Sequence, residues 1–185
     1  MNTPNKLTLL RLLSVPFIIL LMYINNITAA YSAFALFILS MITDIIDGRI
    51  AKRKKKETLF GKFLDPVTDK ILILSIFFVF VDKGFIPMWL VLILLARELT
   101  ISGLRSTASA RGKIIGANWM GKTKAFSQTL IISITLLLNA LNYSINIEKV
   151  IPKITTPLTL IMVTISVIFL FNFMYQNRKL ILKDT

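Results

Sequence analysis

DIIDGRIAKRKKKETLFGKFLDPVTDK, residues 44–70, sets four aspartates at the edges of two strongly apolar segments. An ionised carboxylate at such a place is expensive unless something compensates its charge, so Asp44, Asp47, Asp65 and Asp69 point to bound divalent cation. Asp44 and Asp47 are three residues apart and Asp65 and Asp69 four apart, so each pair shares one face of a helix. Two such helices facing each other enclose a four-carboxylate cup. Oxygen ligands of this kind suit Mg²⁺, Mn²⁺ or Ca²⁺ rather than zinc or copper, and four of them can hold two ions ~3.5–4 Å apart.

Outward from this stretch the chain is mostly apolar. Hydrophobic residues make up 55% of its 185 residues and the mean hydropathy is +0.74. A helix that crosses a bilayer needs about 20 apolar residues, so six such helices would use most of the chain and leave no room for a separate soluble domain. The expected fold is therefore all-α, a single polytopic membrane domain over residues 1–185, with spans near 7–24, 29–46, 63–81, 86–106, 123–141 and 155–175. The first apolar run is followed by Asn25 and Asn26 without a small-residue cleavage site, so the first helix is expected to be retained. With neither cysteine nor histidine, the chain has no disulfide, no thiolate or imidazole metal site, and no Ser-His or Cys-His nucleophile. Proton transfer falls to carboxylate, lysine, tyrosine or water.

Charge divides the connections into two kinds. Lys6, Arg11, Arg49, Lys52 to Lys56, Lys62, Arg105, Arg111, Lys113, Lys122, Lys124, Arg178, Lys179 and Lys183 belong to one side, and only Lys83, Lys149 and Lys153 to the other. By the positive-inside rule both termini and the loops after the second and fourth spans face the cytoplasm, with the aspartates on that face of the cell membrane. The formal charge of +13 is ordinary for basic cytoplasmic loops against anionic lipid, and it comes with no stacking platform or soluble module that would suit nucleic acid. Arg105, Lys122 and Lys124 are more specific, standing at span ends near the aspartates where they could hold phosphate.

Only nine residues are acidic, and five of them, the four aspartates and Glu57, fall in this one stretch. Glu57, Asp82, Glu148 and Asp184 belong to loops or the tail. Glu98 lies inside the fourth span beside Arg97 and most simply forms an intramembrane ion pair with it or with another base on the cytoplasmic side. Gly48 and Gly61 each lack a side chain close to an aspartate, which would let a phosphate or nucleotide approach the backbone, or equally would let neighbouring helices pack closely. Pro66 is expected to kink or start its helix.

The pattern D-x2-D-G-x2-A-x9-G-x3-D-x3-D, with Asp44, Asp47, Gly48, Ala51, Gly61, Asp65 and Asp69 at its seven fixed positions, resembles the signature of the CDP-alcohol phosphotransferases. One position departs, for Lys52 stands where the family usually has arginine. Lysine keeps the charge without the planar fork that grips phosphate in two places, and Arg53 beside it carries such a fork. Two further stretches, PNKLTLLR at 4–11 and ARELTISGLR at 96–105 followed by WMGKTKAFSQ at 119–128, look like the phosphatidylglycerophosphate synthase branch, so that the resemblance covers nearly the whole chain.

This resemblance implies transfer of phosphatidyl from CDP-diacylglycerol to sn-glycerol 3-phosphate, with two divalent cations, Mg²⁺ or Mn²⁺, as cofactors. It implies that Asp44, Asp47, Asp65 and Asp69 hold the metals and that Asp69 is also the general base. Gly48, Ala51, Lys52, Arg53 and Gly61 would line the nucleotide pocket, with Asn5 and Thr8 as weaker candidates, and Arg105, Lys122 and Lys124 would grip the acceptor's phosphate. Acyl chains would lie between helices open to lipid, and the family also suggests packing as a homodimer. Two alternatives stay open. The signature reads only the CDP-linked half, so another acceptor such as inositol phosphate or phosphatidylglycerol fits it too. A divalent-cation transporter would also carry intramembrane carboxylates, although it would more naturally place them at the midplane with repeat symmetry between halves, which is not visible here.

Overall fold

A computed structural model describes the backbone over residues 3–54, 59–110 and 119–178 and the side chains over 8–43, 67–109 and 123–178. Among the described residues there are six helices and no strand: α1 Thr3–Tyr23, α2 Ile27–Lys54, α3 Leu59–Asp82, α4 Met88–Ala110, α5 Trp119–Ile145 and α6 Ile151–Gln176. Each expected span is a helix. The largest difference is at α2, which continues to residue 54 instead of ending near 46. Arginine, lysine, alanine and isoleucine there are all compatible with a helix, and the charged side chains need no apolar surroundings. The apolar run therefore ends before the helix does. Pro66 does not start α3, which begins seven residues earlier at Leu59; it sits inside the helix, where its ring nitrogen has no proton to donate to the preceding turn.

Local sequence explains the short turns. Asn26 accepts a hydrogen bond from the Thr28 amide at 2.9 Å and so caps α2. After α3 the chain reverses through Gly84 at φ +70°, with the Gly84 amide bonded to the Val81 carbonyl at 2.9 Å and the Phe85 amide to the Phe80 carbonyl at 2.8 Å. This is the paired closure of a Schellman motif, and the usual apolar contact across it is present as the Phe80 and Phe85 rings, 6.1 Å apart. Any side chain at position 84 would be strained by that φ. Thr155 of α6 then pins the turn by donating its hydroxyl to the Phe85 carbonyl at 2.5 Å.

All six helices contribute to the core, around Ile18, Phe37, Leu72, Ile76, Phe77, Phe80, Leu90, Ile132 and Ile151, all fully buried. α1 lies against both α2 and α3, α2 against α5, and α6 against α4 and α5. Between α1 and α2 the hydroxyls of Ser14 and Ser40 meet at 3.0 Å, a polar contact of the kind that joins helices in lipid. Large apolar side chains also cover the outside, among them Leu10, Leu13, Phe17, Phe126, Ile168 and Phe171. Among the described residues two helices, over Thr123–Ile145 and Ile151–Gln176, are long and apolar enough to cross a bilayer, and only 39% and 28% of their most apolar windows are buried within the protein. A helix of a water-soluble core would be largely covered, whereas lipid is as good a neighbour for leucine as another helix. The bundle associates with membrane.

Candidate active site

Five helices converge on a cavity of about 520 Å³. α3 contributes Asp69, Lys70, Ile73 and Leu74; α4 contributes Arg97, Glu98, Ile101, Ser102 and Arg105; and α5 contributes Lys124, Ala125, Gln128 and Thr129. Each set recurs at one-turn spacing, so each helix turns a single stripe inward. Met41 of α2 and Phe169 and Phe173 of α6 complete the walls. The lining thus alternates apolar patches with four cations and two carboxylates.

The carboxylates are both engaged. Asp69 accepts a hydrogen bond from Arg11 of α1 at 2.9 Å, and this arginine is buried to 2% exposure while Asp69 keeps 48% of its side chain open. Glu98 pairs with Arg97 at 3.1 Å and with Lys124 across from α5, the ion pairing that the sequence predicts for this acid. Lys70 donates to the Ser102 hydroxyl at 2.5 Å. The Arg105 guanidinium lies 5.8 Å from the centre of the Phe173 ring, a cation–π contact, and its buried Nε has no hydrogen-bond partner among the described residues. Cations therefore outnumber carboxylates in a cleft with low-dielectric walls, where a field acts more strongly than in water. Four cations against two carboxylates in such a cleft have the charge to suit an anion with two negative charges, such as a phosphate monoester.

The Glu98 clasp is also structural. Arg97, Glu98 and Lys124 are 6%, 14% and 13% exposed, so removing the acid alone leaves two poorly hydrated cations side by side. Breaking a buried pair from one side typically costs about 3–5 kcal/mol. Glu98→Leu is expected to lower the unfolding free energy in detergent by that order; a loss below about 1 kcal/mol would mean that solvent reaches and screens the clasp.

Of the residues singled out in the sequence, Asp69, Arg105 and Lys124 come together around this cavity. Thr8 is buried at 3% exposure on α1 and is not part of the lining. Asp44, Asp47, Gly48, Ala51, Lys52 and Arg53 belong to α2, Gly61 and Asp65 to α3, Asn5 to α1 and Lys122 to α5, but their side chains lie outside the described residues. Among the described residues no three His, Cys, Asp or Glu side chains gather, three of the four aspartates being outside that set. The chemistry of the donor set nevertheless fits a hard divalent cation. α2 is continuous through residues 44 and 47 and α3 through 65 and 69, so each pair does share a helical face, and every candidate ligand is a carboxylate.

Sequence reading passed over four lining or supporting residues: Arg11, Lys70, Ser102 and Gln128. Two of them carried a signal, since Arg11 interrupts the apolar run LLRLL and Lys70 opens another, and a base inside an apolar helix seeks a specific partner.

Comparison with known proteins gives this geometry a context. A family model described as CDP-alcohol phosphatidyltransferase matches residues 1–172. A protein of Bacillus subtilis (strain 168) named CDP-diacylglycerol–glycerol-3-phosphate 3-phosphatidyltransferase is 35% identical over 150 residues, covering 75% of this chain and 78% of its own. Proteins of the same name from Rickettsia bellii and Escherichia coli (strain K12) are 38% and 36% identical, covering 74% and 69% of this chain and 75% and 72% of theirs. A match over nearly the whole length, on helices that carry the aspartate pairs and a cation-rich cleft beside them, settles the family: the chain belongs to the CDP-alcohol phosphatidyltransferases.

Proposed function

We propose that this enzyme transfers the phosphatidyl group of CDP-diacylglycerol to sn-glycerol 3-phosphate, giving phosphatidylglycerol phosphate and CMP. The observation that carries this reading is a cavity that brings Asp69 together with Arg105 and Lys124, at relatives' identities of 35% and above. A carboxylate to accept a proton and cations to hold a phosphate are what this acceptor requires.

Asp44, Asp47, Asp65 and Asp69 would hold two divalent cations, Mg²⁺ or Mn²⁺, which when bound neutralise the diphosphate and the charge developing on CMP. Gly48, Ala51, Lys52, Arg53 and Gly61 would line the nucleotide side, with Asn5 and Thr8 near it. On the acceptor side Arg105, Lys124 and Lys122 would bind the phosphate of glycerol phosphate; Lys124 is held ready by Glu98. Asp69, oriented by Arg11, would take the proton from the acceptor's terminal hydroxyl as that oxygen attacks the lipid-linked phosphorus. The new oxygen–phosphorus bond forms as the bond to the CMP oxygen breaks, and CMP leaves with the electron pair. Walls of Ile73, Leu74, Ile101 and Phe173 limit water, which would otherwise compete as nucleophile.

In the same reading all six helices cross the cell membrane, both termini face the cytoplasm, and the reactive end of the bundle opens there. The charge asymmetry of the connections and the apolar outer surface support it. The test is transfer of label: purified protein with CDP-diacylglycerol, Mg²⁺ and radiolabelled glycerol 3-phosphate, inositol phosphate or phosphatidylglycerol in turn. Label is expected in lipid extracts with glycerol 3-phosphate and CMP in equal amount; preference for inositol phosphate would overturn the choice of acceptor.

A further inference from the structure

The cavity's cations account for a phosphate, but a polyol phosphate also brings hydroxyls, and these need an acceptor as well as a donor. Lysine and arginine only donate. The two carboxylates are held by Arg11 and by Arg97 with Lys124, and Ser102 already accepts from Lys70. Gln128 differs from all of these. It lines the cavity at 4% exposure, and its amide offers both a donor and an acceptor to whatever the cavity holds.

Its position fits that role. Gln128 follows Lys124 by about one turn of α5, so the two lie on one stripe about 6 Å apart along the axis. A phosphate held at Lys124 and Arg105 would place the carbon chain of a short polyol along that stripe, within reach of the amide. Carbonyl and NH₂ together match a hydroxyl, which both donates and accepts. We infer that Gln128 is a specificity-determining residue that binds the middle hydroxyl of the acceptor. This rests on the proposed transfer to glycerol phosphate and adds to it the recognition of the part that does not react.

The test compares sn-glycerol 3-phosphate with propane-1,3-diol monophosphate, which keeps the phosphate and a terminal hydroxyl and lacks only the middle one. Wild-type protein in lipid nanodiscs is expected to favour glycerol phosphate about tenfold in kcat/KM, the size of one neutral hydrogen bond. In Gln128→Leu the ratio should fall to within about twofold of unity, through a higher KM for glycerol phosphate alone, with KM for CDP-diacylglycerol unchanged. Gln128→Met removes the same amide with a longer, unbranched chain and serves if the leucine variant does not accumulate. Equal loss on both acceptors, an unaltered ratio, or a wild-type enzyme that uses both acceptors equally would overturn the inference. A wild-type enzyme that transfers to neither would overturn the proposed reaction, and is thereby told apart from the failure of Gln128.

Discussion

Asp69→Asn is expected to lose turnover by about 10²–10⁴-fold, the usual contribution of a positioned general base, while the protein still binds CDP-diacylglycerol. The substitution preserves shape and one oxygen, so the bond from the Arg11 guanidinium can persist and the fold should be retained. What is lost is the capacity to accept a proton from the attacking hydroxyl. With no histidine in the chain, no neighbouring imidazole can take over that task. Binding should weaken only in part, because Asp44, Asp47 and Asp65 remain for the cations. The variant is read by CMP release at saturating acceptor, alongside binding of the nucleotide-lipid measured without acceptor. Turnover within about threefold of wild type, far less than a base supplies, would remove Asp69 from that role.

The fold was legible because its signal is long. Six apolar runs of nearly bilayer length are hard to read as anything but helices, and all six expected spans are helical. Their ends were less legible, since nothing in the apolar pattern says how far α2 continues once charged residues begin, and a proline that reads as a boundary can sit within α3. The site was legible where residue types are out of place in an apolar chain. Asp69, Arg105, Lys124 and the Glu98 ion pair were all found on that ground. Arg11 was counted there only as a loop charge, because the sequence does not say that a base on the first helix meets an aspartate 58 positions later. Gln128 was quoted within a motif without a role, since a glutamine in a helix carries no signal until the structure shows it buried at a cavity wall one turn from Lys124. Contacts between helices distant in sequence, not helix identity, are what single-chain reading lacks.

In the proposed reaction the carboxylates would act by gathering hard cations next to a phosphate-binding cleft. Its most direct test is CMP release by purified protein stripped with chelator and then titrated with Mn²⁺ or Mg²⁺, in the presence of CDP-diacylglycerol and glycerol 3-phosphate. Activity should vanish on chelation, by at least about 10³-fold given the charge that must otherwise develop unshielded, and should return in full with either ion. Undiminished CMP release in the presence of excess chelator would contradict it.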